Sequence, residues 1–153
     1  MDNTIEIIRV TRNNFLRLMN DLTIEELNKI PKGFNNNIIW NFGHVIVSQQ
    51  IICYKLSNQP LKVSDEYVNK YAKGTRPGEF VDQQQFDDLK ALSIDLINQL
   101  QEDVKEDLFA NYTCYKTMFG FELTNIDDAI KYVSSHEGLH LGYAMALKKA
   151  IKL

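Results

Sequence analysis

The sequence predicts an all-α fold, a four-helix bundle, and three observations carry that prediction. Four long stretches place apolar residues at helical spacing. No stretch sustains the period-two alternation of a half-buried strand. The stretches are bounded by Asn, Thr, Asp, Pro and Gly of the kinds that start and stop helices. Amphipathic helices of this length bury their apolar stripes against one another. With 153 residues, the chain is expected to form one domain over 1–153 with a sizeable core.

The first helix is expected to start after Asn3 or Thr4 and to reach about Asp21. Ile5, Ile8, Phe15, Leu18, Met19 and Leu22 give it one core face. Arg9, Arg12 and Arg17 lie on it, with solvent as the expected partner. Thr23-Ile24-Glu25-Glu26 has the form of a capping box, predicting an extra turn up to Ile30, where Pro31 and Gly33 stop it. Any of Asn35 to Asn37 can cap the next helix, Ile38 to Leu56. That stretch is apolar on nearly every side, so it needs neighbours all round, from its own chain or a second subunit. His44 shares a face there with Trp40, Val47 and Ile51. Cys53, ~900° further on, points elsewhere as a buried thiol.

Asn58 to Val81 is a long connection, in which Ser64-Asp65-Glu66 can start one short helix ending at Gly74. The third long helix follows Asp82, with Phe86, Leu89, Ser93, Leu96, Ile97, Leu100 and Val104 on one stripe. From Lys105 to Thr124 the aromatics Phe109, Tyr112, Tyr115, Phe119 and Phe121 favour a packed loop closing one end of the core over a two-strand hairpin. Thr124 or Asn125 caps the last helix. Asp127 and Asp128 stand in its first turn and Lys148, Lys149 and Lys152 in its last, both complementing the helix dipole. A helix of ~20 residues spans ~30 Å, and the 58–81 connection is long enough to return over it. The expected topology is therefore up-down-down-up, with a long crossover between the second and third long helices.

Composition limits the function classes. Apolar content of 44% with 24% charged residues is ordinary for a globular protein. A net charge of −3 argues against a nucleic-acid binder. The longest apolar stretch carries Asn41, His44, Ser48, Gln49, Gln50 and Lys55, which a membrane span would not tolerate. The start is polar, without the pattern of a secretory leader. Cys53 and Cys114 make no disulfide framework, and a reducing cytoplasm is the expected location.

The chemistry lies in the histidines. His136 and His140 are four residues apart, ~40° around a helix and ~6 Å along it, a spacing that lets two imidazoles grip one ion. If the 38–56 helix runs antiparallel to the last helix, His44 lies at their level. Three imidazoles from two helices could then converge, leaving open positions on the metal. The competing reading is a set of hydrogen-bonded core histidines. His136-Glu137-Gly138-Leu139-His140 also matches the zinc-protease pattern H-E-x-x-H. Such enzymes take their third ligand downstream, and no His, Asp, Glu or Cys follows His140. Glu137 reads either as a partly exposed surface carboxylate or as a partner or base for the site. Tyr143 can reach the site, although buried packing is favoured for it. Gly138 and Gly142 suggest close approach of a neighbouring helix or room for a ligand.

Asn37-Ile38-Ile39-Trp40-Asn41-Phe42-Gly43-His44-Val45, together with His136-Glu137-Gly138-Leu139-His140-Leu141-Gly142, resembles the DinB-like superfamily, the DinB/YfiT-like metalloenzymes related to bacillithiol S-transferases. The resemblance covers essentially the whole chain. It implies an up-down-down-up bundle, often dimeric, and a divalent ion held by His44, His136 and His140. Nickel or zinc leads, with manganese or iron as alternatives. It also implies thiol chemistry for some members, no DNA binding, and a small-molecule substrate. The leading expectation is a low-molecular-weight-thiol S-transferase in which metal coordination ionises the thiol. Lys73, Arg76 and Lys116 are the candidate cations for an acidic thiol cofactor. A hydrolase using metal-bound water with Glu137, and a non-catalytic metal-binding or interaction protein, are the alternatives.

Overall fold

The computed structural model describes residues 2–152 and is mostly helical. Its elements are α1 (Asp2–Met19), α2 (Ile24–Asn28), α3 (Ile38–Gln49), α4 (Asp65–Tyr71), α5 (Gln83–Lys105), β1 (Tyr115–Lys116), β2 (Glu122–Leu123) and α6 (Ile126–Ile151). α6 packs against both α1 and α3, and α5 against the same two helices. No described helix is long and apolar enough to cross a membrane.

The expected punctuation is present. Thr23 and Glu26 form the capping box of α2, Ser64 caps α4, and Asn125 caps α6. Of the three candidate asparagines, Asn37 caps α3, accepting from the Trp40 N–H at 2.8 Å. Asp82 caps α5 in a second capping box with Gln85. Every residue of α3 is buried, as an apolar helix without a polar face requires. Beyond Gln49 the helix widens into a π turn, Gln50–Tyr54, then tightens into a 3₁₀ turn, Lys55–Ser57. Asn58, in the left-handed region at φ 55°, ends it.

The core is built in two layers. One gathers Phe15 and Met19 of α1, most of α3, Phe86, Leu89 and Leu96 of α5, and Ala144 and Leu147 of α6. The other gathers Ile5 and Ile8, Cys53 and Tyr54, Ile97 and Leu100, and Ala129, Ile130 and Val133. On α1 and α6 the residues numbered between these sets, Arg12 and Glu137, form an ion pair in which neither side chain is exposed to water (Nη2 to Oε1, 2.8 Å). Arg12 Nε donates to the same carboxylate, and Nη1 donates to the Ser93 carbonyl of α5 at 2.8 Å. One guanidinium thus ties α1, α5 and α6 together. The expectation that Arg12 faces solvent is overturned.

The 105–124 segment also departs from expectation. β1 and β2 pair antiparallel, Tyr115 with Leu123 and Lys116 with Glu122. The turn between them closes through Gly120 at φ +88°, a conformation that suits glycine. Phe109 is buried and the Tyr112 hydroxyl donates to the Ile52 carbonyl, but Phe119 and Phe121 stay more than half exposed. Phe109 and Tyr112 thus pack as the expected loop would, while Tyr115, Phe119 and Phe121 belong to a hairpin.

Candidate metal centre

The three histidines meet where α3 packs on α6. Their ligand nitrogens all lie within 4.8 Å of one another. Ring centroids are 5.2 Å apart for His44–His136 and 4.6 Å for both His44–His140 and His136–His140. The helical spacing of His136 and His140 puts both on one face, and α3 brings His44 opposite.

Two of the rings are held from behind. His44 Nδ1–H donates to the Tyr71 carbonyl at the end of α4, at 2.7 Å. His140 Nδ1–H donates to Asn41 Oδ1 at 2.8 Å. The amide of Asn41 is itself fixed, because its Nδ2 donates to the Asn37 carbonyl at 2.7 Å and only its oxygen is left to face His140. In both rings the Nε2 lone pair is therefore the one available for a ligand bond, and in His44 it accepts from Ser48 Oγ at 3.3 Å. His136 is packed against the Tyr132 ring, and its buried Nδ1 has no hydrogen-bond partner among the described residues.

All three imidazoles are neutral at physiological pH. Burial lowers the His44 pKa against an opposing pull from the Tyr71 carbonyl. Burial, then the neighbouring His44, brings His136 down to about 4. Burial, then His136 and His44, brings His140 down to about 3. Neutral nitrogen donors, two of them oriented by acceptors behind them, and a third with an orphaned polar atom fit a borderline divalent ion. Structural core histidines would be expected to find partners for both ring nitrogens.

The histidines open onto a cavity of about 670 Å³, within the range of small-molecule sites. Trp40 lies flat on His44, centroids 4.7 Å apart and planes 10° from parallel, with Nε1–H donating to Thr75 Oγ1. Ile51, Ile52 and Leu56 continue the α3 wall, Tyr132, Leu139 and Tyr143 stand on α6, and Tyr115, Met118 and Phe119 come from the hairpin. Ser48, not Val47, continues the His44 face; Val47 is buried in the core.

The remaining candidates are distributed unevenly. Glu137 is fully buried, so the surface reading is overturned. Burial pushes its carboxyl up while Arg12 pulls it back, and it does not line the cavity. Tyr143 lines the cavity edge-on to Phe34 and is 38% exposed, contrary to the buried packing expected. Of the three candidate cations, Lys73 lines the cavity; Arg76 and Lys116 do not. Gly138 and Gly142 face open space, so no neighbouring helix approaches them. The close approach is at Gly43, where a Cβ would lie 2.5 Å from the Tyr71 ring. Cys53 is the buried thiol expected, pushed up to about 12 by burial. Sequence reasoning missed Asn41 and Tyr71. Asn41 left a signal, a polar residue one helical turn before His44 in an apolar helix, whereas Tyr71 acts through its main chain and left none.

The fold matches the crystal structure of a conserved protein from Enterococcus faecalis with a TM-score of 0.70 at 13% identity, covering 99% of this chain and 96% of that one. At that identity the likeness speaks for the fold alone. No curated protein sequence matches the chain. The family model of the DinB superfamily matches residues 7–144, and with that span the chain belongs to the DinB superfamily.

Proposed function

We propose that this chain is a divalent-metal-dependent enzyme acting on a small molecule, with nickel or zinc held by His44, His136 and His140 and a low-molecular-weight thiol as the transferred nucleophile. The observation that carries this reading is three neutral imidazoles in the wall of a cavity that no carboxylate lines. A divalent ion so held supplies Lewis acidity, lowering the pKa of a bound thiol or water. The chain's own groups then do four things. Tyr71 and Asn41 hold two rings with Nε2 forward, Trp40 lies flat on His44 while Tyr132 packs against His136, the apolar walls exclude water, and Lys73 offers a positive charge.

The thiol version is favoured over the hydrolase by the placement of Glu137. A hydrolase served by this base needs it beside the cavity, but its carboxylate is taken up by Arg12. A non-catalytic metal protein would need no cavity at the histidines. Contacts along the helices support the up-down-down-up bundle. Arg12 meets Glu137 and Lys148 meets Leu18, so α1 and α6 rise together. Arg12 meets Ser93 while Arg9 meets Gln101, so α5 runs against α1. Asn41 meets His140 while His44 approaches His136, so α3 runs against α6. Within this proposal the chain is a single domain and a cytoplasmic homodimer, with neither nucleic acid nor membrane as partner.

The test is metal content. Protein purified without chelator should carry a stoichiometric divalent ion that His140→Ala loses, and wild type without metal at neutral pH would overturn the reading. Given metal, a panel of small thiols with a chromogenic electrophile should show turnover in wild type and in the double variant Arg12→Met/Glu137→Leu, which removes the carboxylate without leaving a buried charge unpaired. Ester or amide cleavage without thiol turnover would reverse the order of the two enzyme versions.

A further inference from the structure

Taking the reading above for what the histidines do, we infer that the substrate delivered to them is a largely apolar, ring-bearing molecule with at most one negative charge, covered by the tip of the β1–β2 hairpin. Three features of the cavity select it. Apart from Asn36, Asn41 and Ser48, its walls beyond the histidines are mostly ring faces and aliphatics, among them Trp40, Tyr132, Ile51 and Leu139. Apart from an ion on the histidines, its formal charge is a single lysine, Lys73, with no aspartate or glutamate among the described residues that line it. A cation entering would lose hydration with no carboxylate to replace it, and a polyanion, beyond one group at the histidines' ion, would find Lys73 alone for its remaining charges. The third feature is the hairpin tip. Met118 and Phe119 line the cavity yet are 70% and 57% exposed. Apolar surface of that extent at a cavity mouth is removed from water when an apolar ligand lies against it.

Trp40 is the chain's only tryptophan and lines the cavity, so its emission reports occupancy directly. Four probes separate the classes: 4-phenylbutyrate, 4-phenylbutanol, 4-phenylbutylamine and the hydrophilic trianion tricarballylate. Titrations are run first on chelator-treated protein, so that a carboxylate cannot score by ligating an ion, then on protein loaded with zinc. Phenylbutyrate and phenylbutanol should saturate the emission change, the amine should bind roughly tenfold more weakly, and tricarballylate should produce no change. Lys73→Met should weaken phenylbutyrate about fivefold and leave phenylbutanol unchanged. Phe119→Ser should weaken both, with an unchanged circular dichroism spectrum because Phe119 is exposed. On chelator-treated protein, an amine as tight as the carboxylate, a bound trianion, or indifference to Phe119→Ser would each overturn the assignment. Protein that takes up no metal but still saturates with phenylbutanol removes the metal reading and leaves the ligand class standing. Stoichiometric zinc with no apolar binding does the reverse.

Discussion

Replacing Arg12 by Met should be among the most damaging single changes outside the site. The substitution keeps length and apolar stem but removes the guanidinium that serves Glu137 and the Ser93 carbonyl. Both members of the pair are fully buried, so the remaining carboxylate has no water to turn to. Breaking such a pair from one side costs about 3–5 kcal/mol. At roughly 2–4 °C per kcal/mol for a chain of this size, the melting midpoint should fall by roughly 6–20 °C. Urea unfolding of chelator-treated protein measures this without metal binding to confuse it. The sign of the pH dependence follows from the abandoned carboxyl. With its folded pKa raised above the unfolded one, the stability it contributes is full below the unfolded value and lost as pH rises, so the deficit should widen from about pH 5 to pH 8. The double variant Arg12→Met/Glu137→Leu should recover most of the loss, because two apolar residues need no charge partner. The exposed pair Lys131–Asp127 is the control, and Lys131→Ala should leave the midpoint in place. An Arg12→Met protein as stable as wild type, or a double variant no better than the single, would refute the reasoning.

Gly43→Ala should destabilise by about 1–3 kcal/mol, since its Cβ must displace the buried Tyr71 ring. It should also weaken zinc binding, because the Tyr71 carbonyl orients His44; Gly142→Ala, facing open space, should be neutral or slightly stabilising. Asn41→Leu should lower zinc affinity by roughly 10–100-fold in a competition titration, and Asn41→Asp, which retains the acceptor for His140 but loses the donor to the Asn37 carbonyl, should recover part of it. An aromatic disulfide reagent should label one thiol per native chain, exposed Cys114, and reach Cys53 only after unfolding. Glu122 holds the Cys114 thiol above its usual range, so its labelling should rise with pH later than for a free thiol. Glu122→Gln should bring that rise to lower pH.

What was legible in the sequence was whatever one segment decides by itself. Caps are local, and Asn37, Ser64, Asp82 and Asn125 stand where a side chain can reach the first turn of its own helix. The histidine pair is equally local, since helical spacing alone puts His136 and His140 on one face. The hairpin failed for the opposite reason. Its strands are two residues each, too short for alternation to register, and aromatic content is as compatible with an exposed cavity rim as with a packed core.

The polar members of the core show why long-range partners escaped. Arg12 sits 125 residues from Glu137, and although each falls on the apolar stripe of its own helix, neither segment by itself names the partner that would let a charge stay there. Their positions do carry a pattern once the helices are aligned. α1 reads apolar at Ile5 and Ile8, charged at Arg12, and apolar at Phe15 and Met19. α6 reads apolar at Ala129, Ile130 and Val133, charged at Glu137, and apolar at Ala144 and Leu147. An interruption at matching depth on two packed helices is a condition on their register. Sliding α1 past α6 by one turn, ~5.4 Å, would bury both charges against hydrocarbon. The same register sets the height of α6, and with it the height at which His136 and His140 face His44. Glu137 therefore touches the site through alignment, and the residue beside the metal motif that resembles a catalytic base is better understood as the pin that holds the motif at its level.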